Sequence, residues 1–297
     1  MGIRKPTISI IIPIYKVEKY LRHCLDSIAN QNFTDFEVLM INDGSPDGSG
    51  NICIEYQQQA PRFRYFRKQN GGAASARNYA LTLAQGEYFA FIDSDDFLNK
   101  DYLYSLYQQV QDTNCDIAIC SYYMLNEKGK CFVPMNPNGD DQTFDHLYQP
   151  EEWIKGFFNR DGMIYTAPWA KLFSRKVFDN LYFPADIKAG DDQFTIWKAY
   201  IKANRISFKN NQAYCYVMNS SSLSHVQVSA FLNGVLALEE QMATFKAIGW
   251  DVDYMIPLYR QRLKSLRDKS MECGNVHEAK KAQLKLLKMI ENVTVNE

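Results

Sequence analysis

Three carboxylates, Asp93, Asp95 and Asp96, crowd into four positions directly after the apolar run Tyr88-Phe89-Ala90-Phe91-Ile92. Like charges at that spacing repel one another unless a positive group sits among them, and a divalent cation bridging to a phosphorylated ligand is one remedy. The competing reading of the same residues is plain: Asp95 or Asp96 shapes a turn or caps the next helix. The apolar run itself reads as a strand buried on both faces, the kind found inside a parallel sheet. Its carboxyl end is therefore where the acids collect.

The rest of the chain says what would position them. Ile8 to Ile12 is a β-rich run closed by Pro13, which is expected to end a central strand. Val17, Tyr20, Leu21, Cys24, Leu25 and Ile28 recur at helical spacing. Phe36 to Ile41 is a second buried strand, ending in the turn-forming loop Asn42-Asp43-Gly44-Ser45-Pro46-Asp47-Gly48-Ser49. A helix from Ser49 to Gln59 and a strand from Phe63 to Arg67 follow. Asn70-Gly71-Gly72 turns into an alanine-rich helix that stops near Gly86. Strands alternating with helices imply right-handed crossovers and a mainly parallel sheet covered on both faces. In such sheets ligands bind beyond the carboxyl ends of the strands, where Pro13 to Tyr15, Asp43 and Asp93 to Asp96 all fall. No Gly-x-Gly-x-x-Gly follows the first strand, and no Gly-x-x-x-x-Gly-Lys-Ser/Thr occurs, so neither familiar phosphate cradle is available.

Beyond residue 100 the spacing predicts a helix over Asp101 to Asp112 and a strand over Asp116 to Leu125. A hairpin and surface loop are expected over 126–149, and a helix from Glu151 to Phe158. Ala167-Pro168-Trp169-Ala170-Lys171-Leu172-Phe173 is an aromatic-basic cluster. Ala189-Gly190-Asp191-Asp192-Gln193 opens a helix whose Phe194, Trp197 and Ile201 share a face. Two strands, Ile206 to Phe208 and Ala213 to Met218, precede a polar loop from Asn219 to His225. Helices are then expected from Gln227 to Ile248, Tyr254 to Cys273 and Val276 to Glu291.

Composition narrows the field. The 297 residues suffice for one large or two small domains, and 46% hydrophobic with 23% charged residues describes an ordinary globular protein. A formal net charge of -1 supplies no basic field for nucleic acid. Seven scattered cysteines without a Cys-x-x-Cys pair point to reduced thiols and a cytoplasmic setting. The apolar run before Pro13 is too short for a signal peptide, and no later stretch is long enough to span a bilayer.

Ile12-Pro13-Ile14-Tyr15, Ile41 through Ser49, Asn70-Gly71-Gly72 with Ala76-Arg77-Asn78, and Asp93-Ser94-Asp95-Asp96 appear in that order. Together they resemble the family-2 glycosyltransferases of GT-A fold over about the first 225 residues, most specifically to residue 100. The resemblance implies a GT-A catalytic domain over 1–225, with a nucleotide-sugar-binding half (1–100) and an acceptor-side half (101–225). A helical extension over 226–297 lies outside it. The donor it implies is a UDP-sugar, with Mn²⁺ or Mg²⁺ as cofactor. Asp43 would accept from the uracil imide, with Pro13 and Tyr15 framing the base. Asn70, Gly71 and Gly72 would let the backbone approach the nucleotide, and Arg77 would reach the diphosphate. Asp93, Ser94 and Asp95 form the Asp-x-Asp feature, Asp93 near ribose and metal and Asp95 on the metal. His225 sits where related enzymes carry a late histidine touching metal or diphosphate. Lys171, beside Trp169, would meet phosphate or acceptor. The family's acidic pair reads here as Asp191-Asp192 where Glu-Asp is usual, making Asp192 the implied general base.

The implied reaction is inverting transfer of a sugar to a hydroxyl of a glycan, lipid-linked or protein-linked acceptor. A non-catalytic UDP-sugar-binding scaffold of the same fold is the alternative. The last predicted helix, with its apolar stripe and lysines, stays open between packing on its own domain, forming a homo-oligomer, and peripheral attachment at the inner membrane face.

Overall fold

The computed structural model describes residues 5–126, 129–132, 146–158, 161–187, 189–218 and 228–294. The chain divides into two units, Met1–Ser220 and Ser221–Glu297.

The first unit opens as the hydrophobic pattern dictates: β1 (Ile8–Ile14), α1 (Glu18–Ala29), β2 (Phe36–Asn42), α2 (Ser49–Gln59), β3 (Phe63–Arg67), α3 (Gly72–Leu83) and β4 (Tyr88–Phe91). It continues with β5 (Phe97–Leu98), α4 (Tyr102–Thr113), β6 (Ile117–Asn126), β7 (Cys131–Phe132) and β8 (His146–Tyr148). Then come α5 (Pro150–Phe157), α6 (Gly162–Thr166), β9 (Lys171–Ser174), α7 (Asp191–Lys202) and β10 (Ile206–Met218).

Among the described residues all the strands join one sheet with the path β3-β2-β1-β4-β9-β6-β10-β5; β7 pairs with β6, and β8 with β10. The first four strands run parallel, as the alternation requires. The central strand β1 has β2 on one side and β4 on the other, so the crossovers reverse direction there. A crevice opens at the carboxyl ends of two strands whose connections lead apart. β9 is inserted antiparallel between β4 and β6, and β10 runs parallel to β6. This makes the sheet mixed.

Two local expectations are corrected. Pro13 does not end β1, which pairs with β2 through Ile14↔Asn42. Backbone groups alternate sides along a strand, and the Ile11 carbonyl accepts from Ile92 on the β4 side. The missing Pro13 N–H therefore faces the same side, beyond Ile11↔Phe91 where that ladder stops, and no ladder bond is lost. Residues 206–218 form one strand, not two; the polar Asn210-Asn211 step is absorbed as a register irregularity between Lys209 and Tyr214. The aromatic-basic cluster runs into β9 at Lys171, entered through Ala170 at φ 57°.

The second unit contains α8 (Val228–Ala247), α9 (Ile256–Glu272) and α10 (Val276–Thr294). Val235, Leu263, Leu266, Ala282 and Leu286 form its core, with Phe231 and Tyr259 packed at the margin. Among the described residues no helix is long and apolar enough to cross a membrane.

Candidate active site

The loop after β2 brings Asp43 against the start of α3. Its carboxylate, almost wholly buried, accepts from Lys68 Nζ at 2.6 Å, from Gly71 N–H at 3.0 Å and from Gly72 N–H at 2.7 Å. Asn70 Nδ2 donates to the Asp43 carbonyl at 2.9 Å. A carboxylate facing the first N–H groups of a helix satisfies donors that the helix cannot, and it meets the positive end of the dipole. Gly44 makes the approach feasible: it has φ 71°, and a Cβ there would lie 3.0 Å from the Asn70 nitrogen. Asn70, Gly71 and Gly72 thus hold Asp43 directly, which the motif alone did not reveal. Lys68, a partner absent from the sequence-based site, is the lysine just ahead of that turn. Pro13 is half-buried within β1, and Tyr15 lies at the rim, 40% exposed.

At the end of β4 the three acids separate in role. Asp96 is buried; it accepts from the Tyr214 hydroxyl at 2.6 Å and from Val217 N–H at 2.8 Å, which ties the rim to β10. Burial, followed by the nearby Asp95 and Asp93, pushes its carboxyl well above the usual range, against those two bonds. Tyr214 also accepts from Asp93 N–H at 3.3 Å, so one phenol organises both ends of the turn. Asp96 is a structural acid. Asp93 keeps its side chain 29% exposed, Asp95 is partly buried, and Ser94 is buried between them.

Arg77 links β4 to α7. Its guanidinium is buried and engaged, donating from Nη2 to Asp93 at 3.0 Å and from Nη1 to Asp191 at 2.8 Å. It bridges two carboxylates from different elements. Burial works against its charge, but Asp191 and then Asp93 more than offset that and raise its pKa. Through this residue the β4 rim meets the first turn of α7. Gly190, at φ 83°, turns the chain into that helix. Asp192, next along, is partly buried and accepts from its neighbour Gln193 N–H at 2.8 Å. Burial and the adjacent Asp191 push Asp192 up to about 7, against the pull of Arg77 and the Gln193 bond. A carboxylate held there is a competent proton acceptor near neutral pH.

Lys171 lies in the core. It is fully buried, and its Nζ donates to the carbonyls of Ala167 at 2.8 Å and Trp169 at 3.3 Å. Burial lowers its pKa to about 7. It braces the turn that seats Trp169, whose ring stacks on Tyr214 with centroids 4.9 Å apart. A lysine at a strand start looks the same in sequence whether it points into solvent or into the core. His225 lies outside the described residues.

Among the described residues no three His, Cys, Asp or Glu side chains converge as a metal-binding group. Asp93, already paired with Arg77, and Asp95 are the partly exposed acids of this rim. Two hard oxygen donors suit Mg²⁺ or Mn²⁺ that completes its shell with substrate phosphates and water.

A mixed, mainly parallel sheet with helices between its strands and acids at its switch-point rim has the architecture of the GT-A glycosyltransferases. The chain belongs to glycosyl transferase family 2, whose model matches residues 9–181. It is 32% identical over 267 residues to glycosyltransferase GlyA of Streptococcus pneumoniae serotype 4, covering 86% of this chain and 37% of that protein. It is also 32% identical over 213 residues to the poly(ribitol-phosphate) β-N-acetylglucosaminyltransferase TarS of Staphylococcus aureus, covering 70% of this chain and 35% of TarS. The chain thus spans little more than a third of the length of either relative. The crystal structure of TarS 1-349 in complex with UDP-GlcNAc superposes with a TM-score of 0.66 at 25% identity, covering 90% of this chain and 73% of that one. The mannosyltransferase PcManGT of Pyrobaculum calidifontis, in complex with GDP-Man and Mn²⁺, shares the fold with a TM-score of 0.57 at 15% identity, over 96% of this chain and 88% of that one.

Proposed function

We propose that this chain transfers a sugar from a UDP-sugar to a hydroxyl of a glycan or glycoconjugate acceptor, inverting the anomeric centre, with Asp192 as general base. The observation that carries this reading is the meeting of Asp93, at the end of β4, with the first turn of α7 across the Arg77 guanidinium. Donor-side and acceptor-side acids are thereby neighbours. The TarS likeness supports a UDP-sugar as donor.

In this reading Asp43 offers its carboxylate to the uracil imide N–H, in competition with the Lys68 ammonium, while Tyr15 and Pro13 border the base. Asp93 and Asp95 would hold the divalent cation, which when bound supplies Lewis-acid neutralisation of charge on the departing diphosphate. Asp192 takes the proton of the acceptor hydroxyl as that oxygen bonds to the anomeric carbon. The bond from that carbon to the diphosphate breaks, and its electron pair leaves with UDP. Attack from the face opposite the leaving group gives inversion in a single displacement, through an oxocarbenium-like transition state.

The test is a screen of UDP-sugars with Mn²⁺, scoring UDP release with and without EDTA and in an Asp192→Asn variant. Release from at least one donor, lost with EDTA and in the variant, supports the proposal. Binding of UDP without turnover of any donor would favour the scaffold alternative.

A further inference from the structure

The resemblance implies that Arg77 reaches the diphosphate, yet in the structure both Arg77 and its neighbour Asn78 bond residues far along the chain, Asp191 and Phe183. Arg77 bonds Asp191, 114 residues away, as well as Asp93. Asn78 makes a reciprocal pair with the backbone of Phe183: its Nδ2 donates to the Phe183 carbonyl at 2.7 Å, and its Oδ1 accepts from Phe183 N–H at 2.8 Å. The Phe183 ring lies under the Arg77 guanidinium, 5.3 Å to the centroid. One turn of α3 therefore holds both ends of the segment leading from Phe183 to Asp191.

We infer that Arg77 and Asn78 are positioning residues that clamp the segment carrying Asp192, setting the general base at a fixed distance from the Asp93 rim. Neither is a diphosphate ligand. The clamp rests on the donor-and-base reading above, and it explains three otherwise separate facts. A buried arginine is retained because each of two carboxylates from different elements needs its charge. Its planar fork reaches both at once, which an ammonium does not. Asn78 fixes backbone instead of side chain, so the segment cannot slide while its acid stays paired.

The experiment combines hydrogen exchange, calorimetry of UDP with Mn²⁺, and steady-state UDP release for Arg77→Met, Arg77→Lys, Asn78→Ala, Asp191→Asn and Asp191→Glu. Arg77→Met, Asn78→Ala and Asp191→Asn should speed exchange over residues 190–197 by about tenfold or more, with β1 and β2 unchanged. UDP affinity should stay within about threefold of wild type. Turnover should fall by about a hundredfold with little change in donor KM, the signature of a misplaced reacting group. Asp191→Glu should restore protection and turnover together, and Arg77→Lys should do so only partly. Loss of UDP affinity in Arg77→Met with α7 as protected as in wild type would overturn the clamp and return Arg77 to the diphosphate. Exchange rising uniformly through Met1–Ser220 in Asp191→Asn would also overturn it, leaving only general stabilisation. If Arg77→Met does not fold, Asp191→Asn carries the test, because it leaves the Asp93 bond intact. A wild-type protein that binds no UDP would sink the donor reading, while exchange would still decide the clamp.

Discussion

Partial burial and the adjacent Asp191 carboxylate make Asp192 ionise late, and that has consequences in opposite directions for rate and stability. Only the ionised form accepts a proton, so turnover should rise with pH through about 7. Asp191→Asn removes the neighbouring charge and should move that limb to lower pH, which a pH profile of kcat/KM will report. For stability the sign reverses. The folded state holds the Asp192 proton to about 7 and the unfolded chain releases it near the ordinary carboxylate value, so this group's contribution is full at low pH and lost as pH rises through about 7. Tyr214→Phe should leave the buried Asp96 Oδ2 without its donor. The expected cost is about 1–3 kcal/mol in urea unfolding, with UDP affinity also weakened because Asp93 loses its phenol. At this scale the sequence was legible where partners are close along the chain. Asp93-Ser94-Asp95-Asp96 announced an acidic rim, but nothing local separates Asp96, tied to Tyr214, from Asp95. The destination of Arg77 was hidden too, because its second partner belongs to a helix 114 residues later.

At the scale of elements, alternation of apolar runs was enough to place β1 to β4 and α1 to α3, since each run has a single period and clear turn residues between. It failed where tertiary context overrides local chemistry. Asn210-Asn211 has turn composition, yet the long ladder with β6 carries β10 through it. Lys171 has a charged head, yet two carbonyls in the core receive it. Two predictions belong here. Asp43→Ala should release Lys68 and leave the Gly71 and Gly72 N–H groups without their acceptor, destabilising by about 1–3 kcal/mol by chemical denaturation while fraying the start of α3. Lys171→Ala removes a buried stem and frees two carbonyls, so a loss of about 2–5 kcal/mol is expected. Donor KM should change little, because Lys171 is fully buried and its ammonium is bonded to the Ala167 and Trp169 carbonyls.

The whole molecule has two units with separate cores. The second depends on Leu263 and Leu266 packing on Val235, Ala282 and Leu286. Leu263→Ala should lower its stability by about 2–5 kcal/mol, seen by calorimetry, with UDP affinity unaltered. Helical periodicity foretold α8 to α10, but periodicity carries no information on what their outer faces meet. The first unit carries the candidate site, where the parallel half-sheet delivers Asp43 and Asp93 and the first turn of α7 delivers Asp191 and Asp192. The most direct measurement is UDP release with Mn²⁺ by wild type and by Asp192→Asn, each paired with UDP affinity. The account predicts turnover of at least one UDP-sugar that falls by about a hundredfold or more in the variant, with affinity retained. Equal turnover by the two proteins would contradict it.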